Sequence, residues 1–203
     1  MAELDRSRIT KAALEVADRE GPAGFTMRAV AEELGVTPAA LYRHVADKQA
    51  LISLLVDAVV TEQSLPEPTG DWREDLWRMA ATMRKMVHAH PGVSGLRRGQ
   101  QIWTAAVLPL TERWMTLWQQ SGLPLDVALR GAVVSSNAII GIVEVESAID
   151  KITPPPPEAL TAVPSARLAF SRERDREQDF ELAVRALIDG VHVRLLAEVD
   201  AAG

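Results

Sequence analysis

Apolar residues recur along this chain with the period of an α-helix. Ile9, Ala13, Val16 and Ala17 fall at i, i+4, i+7 and i+8, the stripe of a first helix ending near Gly21-Pro22. Thr26 supplies a capping hydroxyl for a second helix over 27–34, with Val30, Ala31 and Leu34 inward and Gly35 as its stop. Thr37-Pro38 repeats the start signal for a short third helix, 38–44, anchored by Leu41 and Val45. Asp47 caps a fourth helix, 47–63, whose stripe is Ala50, Leu51, Leu54, Leu55, Ala58 and Val59. The stretch SLPEPTG at 64–70 reads as a linker.

Beyond the linker, Asp71 and Glu74 have the spacing of a capping box for a helix over 71–90. A short helix or turn is expected at 93–99, and longer helices at 101–120, 125–149 and 173–199. The last has Phe180, Val184, Leu187, Val191, Leu195 and Leu196 on one face, and a proline-rich stretch, Thr153 to Pro157, interrupts the chain before it. There is no strand pattern of consequence. The expected fold class is therefore all-α: a helical head, residues 1–50, linked by the helix at 47–63 to a larger helical body, residues 64–203.

Composition narrows the chemistry. Hydrophobic residues make up 47% and charged residues 25%, as in ordinary soluble proteins. The absence of cysteine excludes disulfides, thiolate metal sites and cysteine nucleophiles. It suits a reducing compartment, and the first residues lack the apolar core of a signal peptide, so a cytoplasmic location is expected. The apolar run from Gly131 to Ile149 carries Ser135, Ser136, Asn137, Glu144, Glu146 and Ser147, which makes it a buried or interfacial helix rather than a membrane span. No P-loop, G-x-S-x-G or H-E-x-x-H motif is present, so neither an enzyme nor a cofactor is expected. His88 and His90 stand two apart and point away from each other on a helix, which disfavours a shared metal ion.

The segment 27–44 carries the most specific signal. A helix, a turn at Gly35-Val36 and a second short helix make a helix-turn-helix: Ala31 lets the helices approach, and Val36 and Leu41 plug the space between them. The net charge of −6 and the seven Lys/Arg against eight Asp/Glu in residues 1–50 give no general attraction for nucleic acid. Placed residues would have to supply it. The alternatives are an all-α enzyme, for which no nucleophile–base pair is found, and a helical binding module without DNA contact.

Ala13-Leu14-Glu15, Gly24-Phe25-Thr26, Arg28, Leu34-Gly35-Val36 and the string LYRHVADKQALI at 41–52 resemble the tetracycline-repressor (TetR) family, without gaps over the first quarter of the chain. In this head the likeness is closer to the family's namesake than to a typical member. The resemblance implies a dimeric transcriptional regulator, expected to be a repressor released from a palindromic double-stranded operator by a small ligand. Together with side-chain chemistry it assigns phosphate contacts to Thr26, Tyr42 and Lys48 and base reading to Arg28. Thr37, Pro38 and Ala39 would form the tip of the recognition helix, with Arg43 and His44 completing its face. The namesake has glutamine, proline and threonine where this chain has Pro38, Ala39 and Ala40, so its operator does not carry over.

For the body, the resemblance implies an effector pocket and pairing of helices near 126–148 and 176–199 with their symmetry mates. Trp77, Met79, Met83, Trp103 and Trp114 are candidates to line the pocket for an apolar or aromatic effector, with Asn137 and Glu144 as polar contacts. The same aromatic and thioether residues at helical spacing also make plain core, and the two polar residues could equally bond between helices. Arg97 and Val145 match the histidine and glutamate that the namesake uses near its drug-bound magnesium, with Glu144 one residue away. Neither is a magnesium ligand, so tetracycline–magnesium is not the expected effector.

Overall fold

The computed structural model describes residues 4–97, 102–149, 155–171 and 175–202. Among these the chain forms α1 (Arg6–Gly24), α2 (Met27–Leu34), α3 (Pro38–Tyr42), α4 (Lys48–Thr61), α5 (Trp72–Ala89), α6 (Pro91–Arg97), α7 (Val107–Gln119), α8 (Leu125–Ile149), α9 (Pro164–Ser171) and α10 (Arg176–Ala202). A 3-10 turn at Pro157–Leu160 precedes α9, and no strand occurs among the described residues. The fold is all-α.

Side chains satisfy the free N–H groups that open the first helices. Asp5 accepts from the Arg8 amide, Thr26 from Ala29, Thr37 from Ala40, and Asp47 from Ala50, at 2.8, 3.1, 3.2 and 2.7 Å. At α5, Asp71 accepts from the amides of Arg73 and Glu74. The expected capping box is replaced by a different lock. Glu74 pairs with Arg185 of α10, and buried Asp75 accepts from the amide and hydroxyl of Thr69, fastening the linker onto α5.

Two cores result. The first is built from Ile9, Val16, Phe25, Val30, Leu41 and Leu55 of the head, and it continues into Met86 of α5, Val93 and Leu96 of α6 and Ile102. The second joins α5, α7, α8 and α10 around Leu76, Trp118, Ile139, Val184 and Ile188. Helix α4 buries Ile52 and Val56 as well as Leu51, Leu55 and Val59, so more than one face is covered. The cause is its position between α1 on one side and α6 and α7 on the other.

Several elements differ from the sequence expectation. Helix α1 runs past Gly21, which breaks it at φ 65°, and ends at Gly24. Helix α3 stops at Tyr42, short of 44. Helix α7 begins at Val107, because a helix running from 101 would place Pro109 in its interior, whereas here proline falls in the first turn, where its missing N–H costs nothing. The turn at Pro157–Leu160 and helix α9 occupy a region for which only an interruption was expected. Residue 101, the segment Thr153-Pro154 and residues 173–174 of the expected elements lie outside the described residues.

Polar side chains tie the body together. Arg84 of α5 donates through Nε and Nη2 to Glu146 of α8, at 2.7 and 2.6 Å, and through Nη1 to Glu177 of α10, while its guanidinium lies over the Phe180 ring. Those carboxylates hold the guanidinium pKa well above its ordinary value. His192 of α10 is buried, with Nε2 on the Ser121 carbonyl and Nδ1 on Arg73. As Arg73 only donates, Nδ1 accepts, which assigns the proton to Nε2.

Candidate functional site

The turn between α2 and α3 follows from two backbone hydrogen bonds. Gly35 takes φ 67°, a left-handed conformation that a Cβ disfavours, and its amide donates to Glu32 while that of Val36 donates to Ala31. Thr37 and Pro38 then start α3 in a new direction, with Leu41 buried against the head core.

Thr26, Arg28, Thr37, Pro38, Ala39, Tyr42, Arg43, His44 and Lys48 are all exposed. Tyr42 stands 51% exposed although it is a large aromatic residue next to buried Leu41. The Arg28 guanidinium pairs with Glu32 one turn on, which raises its pKa. The Lys48 ammonium donates to the Phe25 carbonyl at 2.6 Å and sits over the Phe25 ring, so this side chain also staples α4 to the loop before α2. The Thr26 and Thr37 hydroxyls accept as N-caps and keep their own O–H available to donate.

In the body, four of the seven pocket candidates pack in or against the second core. Met79 and Trp114 are buried in the second core, with the Trp114 indole N–H donated to the Ala132 carbonyl at 3.0 Å. Trp77 stacks on Phe180 and lies under Arg185, and Met83 is half-buried against the same core. Trp103 is 58% exposed before α7. Asn137 is exposed rather than set in an apolar face, because the buried stripe of α8 is Ala128, Ala132, Ser135, Ile139 and Val143, and a residue two beyond Ser135 turns away from it. Glu144 is half-buried. A groove of about 440 Å³ between α8 and α10, edged by Val134, Leu187, Val191 and Leu195, is lined by none of the seven.

Three residues at the junction of head and body were not found by sequence reasoning. His90 sits between the Asp18 carboxylate of α1, at 3.1 Å from Nδ1, and the Glu62 carboxylate beyond α4, at 3.0 Å from Nε2. Asp18 also accepts from the Gly92 amide at 3.0 Å. A Cβ on Gly92 would lie 2.0 Å from the Ala17 carbonyl oxygen, so only glycine lets α6 approach α1 this closely. Nothing local in the sequence joins positions 18, 62 and 90; only the His-Pro-Gly helix end was visible. His88 turns instead towards Glu146, at 3.6 Å. Asp57 of α4 accepts from the Ala106 amide, a further link from α4 to the body.

Neither Arg97 nor Val145 carries a group that ligates magnesium. Arg97 is a cation, and Val145 is apolar and 62% exposed.

Two family profiles together match most of the chain. "Bacterial regulatory proteins, tetR family" covers residues 9–55, and "Tetracyclin repressor-like, C-terminal domain" covers residues 65–195. An HTH-type transcriptional regulator of Saccharopolyspora erythraea is 33% identical over 146 residues, 71% of this chain and 61% of that protein. The HTH-type transcriptional repressor DrrR1 of Streptomyces coeruleorubidus is 30% identical over 140 residues, 68% of this chain and 52% of that protein. The matches thus span about half to three-fifths of these relatives' lengths. Among solved structures, Streptomyces coelicolor ActR in complex with actinorhodin superimposes with a TM-score of 0.75 at 26% identity, over 96% of this chain and 99% of that one.

Proposed function

This chain belongs to the tetracycline-repressor family of bacterial regulatory proteins, and from that membership we propose that it is a homodimeric transcriptional repressor, released from a palindromic operator by a small apolar or aromatic effector. It is read as a DNA-binding regulator and not as an enzyme, acting in the cytoplasm. Residues 1–50 serve as the DNA-reading head and residues 64–203 as the effector and dimerisation body, joined by α4. The observation that carries this reading is the exposed face of the helix-turn-helix: nine side chains suited to phosphates and base edges stand in solvent on a buried apolar scaffold.

The chemistry of each group supports a role. Tyr42, Lys48 and the two threonines donate to phosphate oxygens and set the register of the head. Arg28 leaves Glu32 for a guanine edge, and Ala39 touches a thymine methyl. Two such heads, held at a fixed separation, read two half-sites in successive major grooves.

Dimerisation is supported by the apolar residues that α8 and α10 leave exposed, Val133, Val134, Ile140, Leu182, Val193 and Leu196 among them. The segment Leu125–Ser147 is long and apolar enough to cross a membrane, with a third of its window buried in the monomer. A four-helix contact with a second copy is the reading adopted for that exposed face.

Release works by opposition. An effector that favours one placement of α6 and α4 lowers affinity for DNA by the factor by which DNA lowers affinity for it. The α6–α1 wedge at Gly92 and the Asp18–His90–Glu62 bridge supply rigid connections for that coupling. The test is an electrophoretic shift with the promoter of the protein's own or a neighbouring gene. Sequence-specific, salt-sensitive binding that Arg28→Ala and Tyr42→Ala both weaken is expected. Binding insensitive to both substitutions would make the head structural only.

A further inference from the structure

Arg97, the last residue of α6, stands out among the buried polar groups. Its Nε–H is shielded from solvent and has no hydrogen-bond partner among the described residues. The side chain is largely buried, and burial lowers its pKa, opposed by the charge of Glu144 on α8. A guanidinium carries five donors and stays charged, so an unpartnered buried N–H is a cost that the fold meets for a reason other than stability. Its location suggests the reason. Val93 and Leu96, on the same helix, pack into the core shared with the head, while Glu144 belongs to a helix of the body core. The guanidinium therefore lies where the two cores meet. The other end of its helix is wedged against α1 at Gly92.

We infer that Arg97 is the anchor of the effector site and that the effector carries an oxyanion, a carboxylate or an ionised phenol, on an apolar or aromatic frame. The inference rests on the effector-binding reading above and names the charge of the ligand. An anion takes the unpartnered Nε–H and a neighbouring Nη–H as a bidentate, charge-assisted pair. It also competes with the negative charge of Glu144 on α8 for the guanidinium. The single helix that holds the anion is the one pinned to the head, so binding reaches α1 without a long relay. The apolar core that α6 shares with Met86 and Ile102 suits an aromatic frame better than a sugar or phosphate ester.

The probe pair 1-anilinonaphthalene-8-sulfonate and N-phenyl-1-naphthylamine shares one ring system and differs in the anionic group. Fluorescence titration of the full-length protein is expected to show the sulfonate probe binding one per chain, about tenfold tighter than the neutral one. Arg97→Met should abolish that preference while the neutral probe binds within about twofold of wild type, and Arg97→Lys should retain part of it. Ligand-free Arg97→Met should melt at or above the wild-type temperature, since it removes a buried, under-partnered charge. An unchanged preference in Arg97→Met, or a melting temperature lowered by more than about 5 °C, would overturn the anchor and leave the effector pocket standing. Failure of the wild type to bind either probe would count against the pocket itself, and the anchor would fall with it.

Discussion

At the scale of single residues, the side chains assigned to DNA differ in what else they hold, and that separates their expected phenotypes. Tyr42 has an exposed ring. Tyr42→Phe should weaken operator binding roughly fivefold at unchanged melting temperature, as loss of one phosphate hydrogen bond would. Lys48 also donates to the Phe25 carbonyl. Lys48→Met should lower both operator affinity and melting temperature, and should reduce the salt slope of binding by about one. Calorimetry beside anisotropy titrations checks both. The helix-turn-helix that carries these residues was legible in the sequence because it is local: helix, turn and helix lie within 20 consecutive positions, and the capping threonines and Gly35 mark each boundary. The pocket residues were not, because tryptophan and methionine at helical spacing look alike in a core and in a cavity. Burial in the second core and the indole N–H on the Ala132 carbonyl place the Trp114 ring in the core.

At the scale of elements, the shortest helix of the body has the most demanding contact. Gly92→Ala would set a methyl against the backbone of Ala17 and Asp18. Helices α1 and α6 must then separate, which should cost about 1–3 kcal/mol and lower operator affinity as well, readable by urea denaturation and DNA titration. The Arg84–Glu146 pair binds α5 to α8 with both side chains nearly buried. Glu146→Ala leaves the guanidinium without its bidentate partner and should cost about 3 kcal/mol in the same denaturation assay, with the head's contact face untouched. The helices themselves were legible from period and caps. Their neighbours were not: the sequence pattern showed α4 with one apolar stripe, yet it buries further residues because α6 and α7 cover it, a fact of tertiary packing. The expected start at 101 left Pro109 in a helix interior, whereas α7 begins at Val107 and holds that proline in its first turn.

At the scale of the whole molecule, the apolar faces left open on α8 and α10 form the proposed dimer surface, and a second copy seated there would match the two-fold symmetry of a palindromic site. Leu182 and Val193 are both more than 60% exposed in the single chain. Val193→Glu should yield a folded monomer in analytical ultracentrifugation and lose cooperative operator binding, while a dimer that survives it would move the interface elsewhere. The linker at 64–70 suggested a head and a body, but the reach of the first core into α5 and α6 was not visible, since it depends on contacts between positions some 75 apart such as 17 and 92. In the proposed mechanism that reach would couple effector to DNA. The most direct test of the account is selection of binding sites from a random pool of duplex DNA by the purified wild-type protein. Enrichment of a two-fold symmetric sequence, with half-site centres about one helical turn apart and lost when Arg28→Ala and Tyr42→Ala are combined, is the predicted result. A pool that shows no enriched motif, or one the double variant selects equally well, would contradict it.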